Sequence, residues 1–258
     1  MTASTPPPST FEEKLKRALI PPRMELARIT RRELRKGEPE LRLLPFLLDR
    51  SRAAMDIGAN RGIWAGLMAQ HCAEVWAFEP NPKLFPVLEA AAPKNVLCRR
   101  EALSDQDGGA ELLVPGQGRN FSNQGASLSR TKVGDLPHMT VSVQMARLDA
   151  LDPPPTGFLK IDVEGHERAV LEGARELIAR DRPTLIVEIE ERHTGRPIGE
   201  ELDFVESLGY RTLVLKDGRL AGRHAFDAES DHRAKAGKPG YLNNFIFLPE
   251  GLTHAKPC

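Results

Sequence analysis

The sequence predicts an α/β protein whose mostly parallel, seven-stranded sheet carries helices on both faces, with an inserted β-hairpin and an N-terminal helical extension. Three observations predict it. Short apolar runs alternate with helix-like stretches over residues 53–98, and the alternation returns from residue 158. Consecutive strands separated by helices pair in parallel through right-handed crossovers. A glycine-containing bend, D-I-G-A-N-R-G at 56–62, joins the first strand to the first helix.

Each element follows from local pattern. Residues 1–10, rich in Pro, Ser and Thr, are expected to be a disordered tail. Residues 11–50 are expected to form a helical extension outside the main domain, broken at Pro21–Pro22 and Gly37–Pro39. Nine Lys/Arg lie between positions 14 and 36, either a solvated helix face or a docking surface for an acidic partner or membrane. The main domain is expected over 51–258, opening with strands at 53–57, 74–79 and 96–98. Helices at 64–71 and 82–92 separate them, Pro86 being out of place inside the second.

Residues 110–114 and 140–145 are expected to pair as a hairpin. The stretch 115–137 is either an insertion or a loop over the site: Gly116, Gly118 and Gly125 would let it move, and Asn120, Ser122, Asn123 and Ser127 would reach a ligand. A strand is expected at 158–163. One helix is expected after it, because Val170, Ala174, Leu177 and Ile178 form a single stripe. Strands at 184–189, 212–215 and 244–248, with a helix at 199–208, complete the domain.

The totals exclude several classes. The 258 residues carry 36 basic and 36 acidic side chains, so there is no basic excess for bulk nucleic-acid binding. Cys72, Cys98 and Cys258 form no metal-binding or disulfide pattern. No apolar run approaches the roughly 18 residues of a spanning helix. The N-terminus has no secretory pattern, so a cytoplasmic location is expected.

The bend at 56–62 follows a strand and opens a helix, where free N–H groups suit an anion. A dinucleotide site needs glycine at its second position, for close approach to the pyrophosphate. Here that position is Asn60. S-adenosylmethionine has no phosphate and tolerates a side chain there. Asp56, Gly58, Ala59, Asn60 and Gly62 are the expected cofactor positions, with Asp56 meeting the ammonium group. Glu79, at the end of the second strand, is spaced to bond ribose hydroxyls, with Pro80 and Asn81 beside it. Ser104 and Asp105 follow the third strand, where an adenine edge would lie.

The run K-I-D-V-E-G-H-E at 160–167 ends the fourth strand, at the sheet edge that holds ligands in open α/β folds. Together with F-E-P-N at 78–81, A-L-S-D at 102–105, L-D at 148–149, V-L-x-G-A at 170–174 and N-F-I-F at 244–247, this chain resembles the FkbM family of methyltransferases over about residues 53–248. The resemblance implies a class I methyltransferase, Rossmann-like fold, S-adenosyl-L-methionine as cofactor, and O-methylation of a hydroxyl on a small molecule, natural product or sugar. It implies cofactor roles for Asp56, Gly58, Asn60 and Glu79, and places Asp162 and Glu164 at the reaction end.

Methylation of an alcohol needs a base or a metal. Candidates are Asp162, Glu164, His166 and Glu188, then Glu190 and His193, the last expected at the surface along with His138. Asp162, Glu188 and Glu190 are alternatively a Mg²⁺ site. A nicotinamide-dependent oxidoreductase and a non-catalytic cofactor-binding scaffold are the rival readings. A small-molecule or glycan acceptor, no nucleic acid, no transmembrane segment and a homo-oligomer complete the expectations.

Overall fold

The computed structural model describes residues 7, 10, 15, 19–117, 120–121 and 125–251. The expected tail is mostly outside these residues, as are Gly118, Ser122, Asn123 and Cys258. The N-terminal segment forms helix α1 (Pro22–Lys36), a 3-10 turn (Pro39–Leu43) and helix α2 (Leu44–Leu47). The first half of the domain is β1 (Ala53–Ile57), α3 (Ile63–Met68), β2 (Val75–Phe78), α4 (Phe85–Ala91) and β3 (Val96–Arg99). A short β4 (Ala102–Leu103) leads into β5 (Gly108–Gln117), β6 (Asn120–Phe121), α5 (Arg130–Val133) and β7 (His138–Ala146). The second half is β8 (Thr156–Ile161), α6 (Glu167–Glu172), α7 (Arg175–Asp181), β9 (Thr184–Glu188), α8 (Glu191–Thr194), α9 (Ile198–Ser207), β10 (Tyr210–Lys216), β11 (Arg219–Gly222) and β12 (Asn244–Pro249).

The main sheet has the order β11-β10-β12-β9-β8-β1-β2-β3. The five strands from β9 to β3 run parallel; β12 pairs antiparallel with β9, and β10 and β11 follow by antiparallel pairings, so β10 again runs in the direction of the five. It therefore has eight strands, one more than expected. The eighth, β11, follows a two-residue turn in which Asp217 (φ 50°) and Gly218 (φ 73°) both adopt positive φ, the geometry that suits a right-twisted hairpin. The hairpin of β5 and β7 forms as expected, in a second sheet with β4 and β6. Strand order reverses between β1 and β8, and in open α/β sheets ligands bind at the carboxyl ends of the strands around such a reversal.

Alternation along the strands builds two cores. Met55, Ile57, Leu159, Ile161, Leu185 and Val187 face one side. Ala54, Phe158, Ile186 and Ile246 face the other, where they meet Trp64 of α3 and Leu41 and Leu44 of the N-terminal segment. That segment thus covers a face of the sheet with buried leucines.

Two helices differ from expectation. Pro86 sits in the first turn of α4, where its missing N–H costs nothing. The stripe at 170–178 is split into α6 and α7 around Gly173. A Cβ on Gly173 would lie 1.9 Å from the Ser104 carbonyl oxygen, so only bare backbone lets the chain pass the end of β4. Asp149 accepts the N–H groups of Glu176 and Leu177, both at 2.9 Å, and so satisfies the free start of α7.

Candidate active site

The site begins where β1 ends. Gly58 has φ +87°, and a Cβ there would stand 1.8 Å from the Asp162 carbonyl oxygen. Glycine is what allows the ends of β1 and β8 to touch. Asn60 (φ 51°) and Gly62 (φ 85°) continue the left-handed bend into α3. Across from it, Glu79 follows β2. Its Oε2 accepts the Asn60 N–H at 2.7 Å and its Oε1 the Asn81 N–H at 2.9 Å. Its 6 % exposure is the dominant influence, and burial pushes the carboxyl up to about 7 against the pull of the two N–H groups.

A first hollow opens between these ends. Gly58, Asn60, Glu79, Pro80, Asp162 and Glu164 line it, and His166 stands at its far side near Leu103. Ala126, Ser127 and Leu128 line it as well. Ser127 Oγ donates to the Glu164 carbonyl at 2.7 Å and ties these residues to the turn after β8.

Several expected cofactor positions do other work. The Asp56 carboxylate is buried and accepts the Ala65 N–H at 2.8 Å, holding α3 rather than facing the hollow. Burial pushes it up to about 7. Asn81 is buried in its own turn, where its Oδ1 accepts the Lys83 N–H at 2.9 Å. Ser104 Oγ bonds His166 Nε2 at 2.9 Å and Asp105 at 3.0 Å, just behind the hollow. Gly62 shapes the bend, and Ala59 lines a second hollow.

That second hollow, about 600 Å³, adjoins the first at Gly58, Asn60, Asp162 and Glu164, which line both. Its other walls include Trp64, Arg61 and Glu188, together with Ile29, Arg32 and Glu38 from the N-terminal segment. Behind its Asp162 and Glu188 walls lies Lys160, with 0 % exposure. Its Nζ donates to Asn244 Oδ1 at 3.0 Å and lies 3.9 Å from both Asp162 and Glu188. Burial alone would lower the Lys160 pKa, but Asp162, Glu38 and Glu188 outweigh it and keep it raised. Glu188 also accepts the Asn243 side chain at 2.9 Å, and burial raises its carboxyl well above the ordinary range.

The remaining candidates separate. His166 bonds Ser104 and lines the first hollow, whereas Glu188 lines the second, and burial lowers the His166 pKa. His193, expected at the surface, is buried, and its Nδ1 lies 3.1 Å from Glu164 Oε2. Burial brings it down to about 4. Lys132 Nζ meets the same Glu164 oxygen at 2.6 Å. Glu190 turns from Glu188 toward Arg192, Tyr241 and His193. The carboxylates weighed for Mg²⁺ are therefore not brought together: an ammonium stands between Asp162 and Glu188, and Glu190 belongs to another group. Glu164, Glu190 and His193 do bring one ligand atom each within 4.8 Å of one another, with Lys132 already on Glu164.

Residues not picked out from the sequence include Glu38, Arg61, Trp64, Lys132 and Asn244, and Lys160 received no role. Glu38 and Asn244 are 206 positions apart, which no local pattern connects.

A family model described as the methyltransferase FkbM domain matches residues 56–212, more than half of the chain. The chain belongs to the FkbM methyltransferase domain family. Every strand end that forms the first hollow lies within the matched FkbM region, whereas the N-terminal wall of the second hollow lies before it. The hexuronic acid methyltransferase AglP of Haloferax volcanii is 30% identical over 149 residues, covering 55% of this chain and 58% of that protein. The chain thus spans little more than half the length of this relative. Among solved structures, the methyltransferase FkbM from Methylobacillus flagellatus KT aligns with a TM-score of 0.49 at 15% identity, over 84% of this chain and 47% of that one. An O-methyltransferase from Bacillus cereus in complex with SAH aligns with a TM-score of 0.46 at 14% identity, over 93% and 96%. Among the described residues, no helix of this FkbM protein is long and apolar enough to cross a membrane.

Proposed function

We propose that this chain is an S-adenosylmethionine-dependent methyltransferase that methylates an oxygen of a sugar-like acceptor. The observation that carries the reading is the Glu79 carboxylate, fixed by two backbone N–H groups beside the Gly58 bend. A carboxylate so fixed keeps further lone pairs for vicinal ribose hydroxyls.

The residues present fit this ligand. Glu79, Glu101, Asp162 and Glu164 line the first hollow and give it an acidic character. That suits a ligand with a sulfonium and an ammonium group and disfavours a pyrophosphate, which argues against the nicotinamide alternative. When bound, adenosylmethionine supplies an electrophilic methyl group. Glu79 would hold the ribose, the backbone carbonyl groups at Gly58–Asn60 would receive the ammonium of the amino-acid arm, the N–H groups there being bound to Phe78 and Glu79, and the apolar side around Leu103 and Leu112 would take the base. Asp162, at the junction of the hollows and 30 % exposed on its side chain, stands at the reaction end. The second hollow takes the acceptor: its carboxylates accept hydrogen bonds from hydroxyls and orient one of them toward the junction with the first hollow.

The sugar-like acceptor is supported by the named activity of the 30% identical relative and by this polar lining. The experiment is transfer of a labelled methyl group to methyl β-D-glucuronide and methyl β-D-glucopyranoside. Label on a glycoside, with release of adenosylhomocysteine, is the expected result. Adenosylmethionine binding without transfer to either would favour the cofactor-binding scaffold instead.

A further inference from the structure

Glu38 lies before the matched family region, in the turn that joins α1 to the 3-10 segment. Gly37 makes that turn possible, since a Cβ there would collide with the side chain and carbonyl oxygen of Glu33. The turn delivers Glu38 into the wall of the second hollow, alongside Asp162 and Glu188.

Its two oxygens are not equivalent. Oε2 accepts the Trp64 indole N–H at 3.1 Å and the Asn244 side-chain N–H at 3.4 Å. Oε1 makes no hydrogen bond among the described residues. The carboxylate is thus held at one oxygen and free at the other. The other carboxylates of the hollow are engaged differently. Asp162 and Glu188 flank the Lys160 ammonium, Glu164 is paired with Lys132 and His193, and Glu33 with Arg32. Burial raises the Glu38 carboxyl above its ordinary value, with Lys160 opposing, which makes it a better proton acceptor than a solvated carboxylate.

We propose that Glu38 is a catalytic residue from the N-terminal segment, whose free oxygen binds the acceptor hydroxyl and takes its proton during transfer. The inference rests on reading the second hollow as the acceptor site. As the new oxygen–carbon bond forms, the carbon–sulfur bond breaks and its electron pair stays on sulfur. The hydroxyl proton moves to Glu38 Oε1, so the carboxylate becomes a carboxylic acid and later loses the proton to water.

The test uses the full chain with labelled adenosylmethionine and the two methyl glycosides. Glu38→Gln keeps an oxygen for Trp64 and Asn244 but takes no proton. Its kcat is expected to fall about 100-fold or more, the usual scale of a lost general base, with acceptor KM and cofactor Kd within about threefold of wild type. Glu38→Ala is expected to regain at least about tenfold of its lost rate with added formate, which restores a carboxylate. A Glu38→Gln enzyme with more than half the wild-type kcat overturns the proposal. So do an Ala variant indifferent to formate and a loss confined to KM or cofactor Kd, any of which leaves Glu38 only structural. If wild type transfers label to neither glycoside, the sugar-acceptor reading fails and this inference with it. A failure in the variants alone leaves that reading standing.

Discussion

The Glu79 carboxylate accepts the backbone N–H of Asn60 at 2.7 Å, tying the residue just after β2 to the bend that follows β1. This bond fixes both walls of the first hollow at once. It also sets the direction of the remaining Glu79 lone pairs.

Replacing Glu79 by Gln removes the charge and turns one acceptor into a donor facing a backbone N–H. Loss of two charge-assisted bonds to ribose costs roughly 3 kcal/mol, so adenosylmethionine affinity is expected to fall about 100-fold. The unliganded variant is expected to melt higher than wild type at pH 8, because it no longer buries a charge. Calorimetry and thermal melts check the two halves.

The pH dependence has a definite sign. Burial raises the Glu79, Asp56 and Glu167 carboxyls to about 7. A group raised in the folded state contributes stability below its ordinary value and loses it as pH rises through the folded value. The unliganded protein is therefore expected to lose stability as pH rises from about 4 to about 7, and to level off above that. Adenosylmethionine binding, which favours the ionised Glu79, is expected to tighten over the same interval and to release a proton below pH 7. The heat of binding in buffers of different ionisation enthalpy reports that proton.

Gly58→Ala tests the close approach of β1 and β8. The added methyl group would overlap the Asp162 carbonyl oxygen at 1.8 Å and hold a strained φ of +87°. A cost of about 1–3 kcal/mol is expected, read by denaturant unfolding, together with loss of adenosylmethionine binding.

Lys160→Met leaves Glu38, Asp162 and Glu188 without their ammonium. Removing one partner of a buried charge group costs about 3–5 kcal/mol, which denaturant unfolding at pH 8 measures. Because Lys160 supplies the cation between Asp162 and Glu188, wild-type turnover is expected to withstand EDTA. Loss on chelation with recovery in Mg²⁺ would return that role to a metal.

Asp149→Ala leaves the N–H groups of Glu176 and Leu177 unsatisfied at the start of α7. A loss of about 0.5–2 kcal/mol is expected, with cofactor affinity unchanged.

The β-α-β rhythm was legible because each strand is a short apolar run and each helix a local pattern. The placement of Gly58 and Glu79 in one hollow was legible because successive parallel strands end side by side, so spacing along the chain maps onto position in space. Asp56 and Asn81 show the limit of that reasoning: they lie in the motif, but their side chains satisfy backbone N–H groups of the neighbouring helix and turn. The break at Gly173 was hidden because the apolar stripe continues through it, and only the passing Ser104 carbonyl forbids a side chain there. The sequence also placed residues 11–50 outside the main domain, whereas Leu41 and Leu44 cover the sheet and Glu38 lines the second hollow. Such contacts join segments some 200 residues apart, and no local periodicity records them.

Calorimetric titration of the full chain with adenosylmethionine at pH 8, repeated with NADH, tests the nucleoside site most directly. Saturable one-to-one binding of adenosylmethionine, abolished or strongly weakened in Glu79→Gln, with no heat from NADH, is the expected result. Absence of adenosylmethionine binding, or equal affinity in the Glu79→Gln variant, would contradict it.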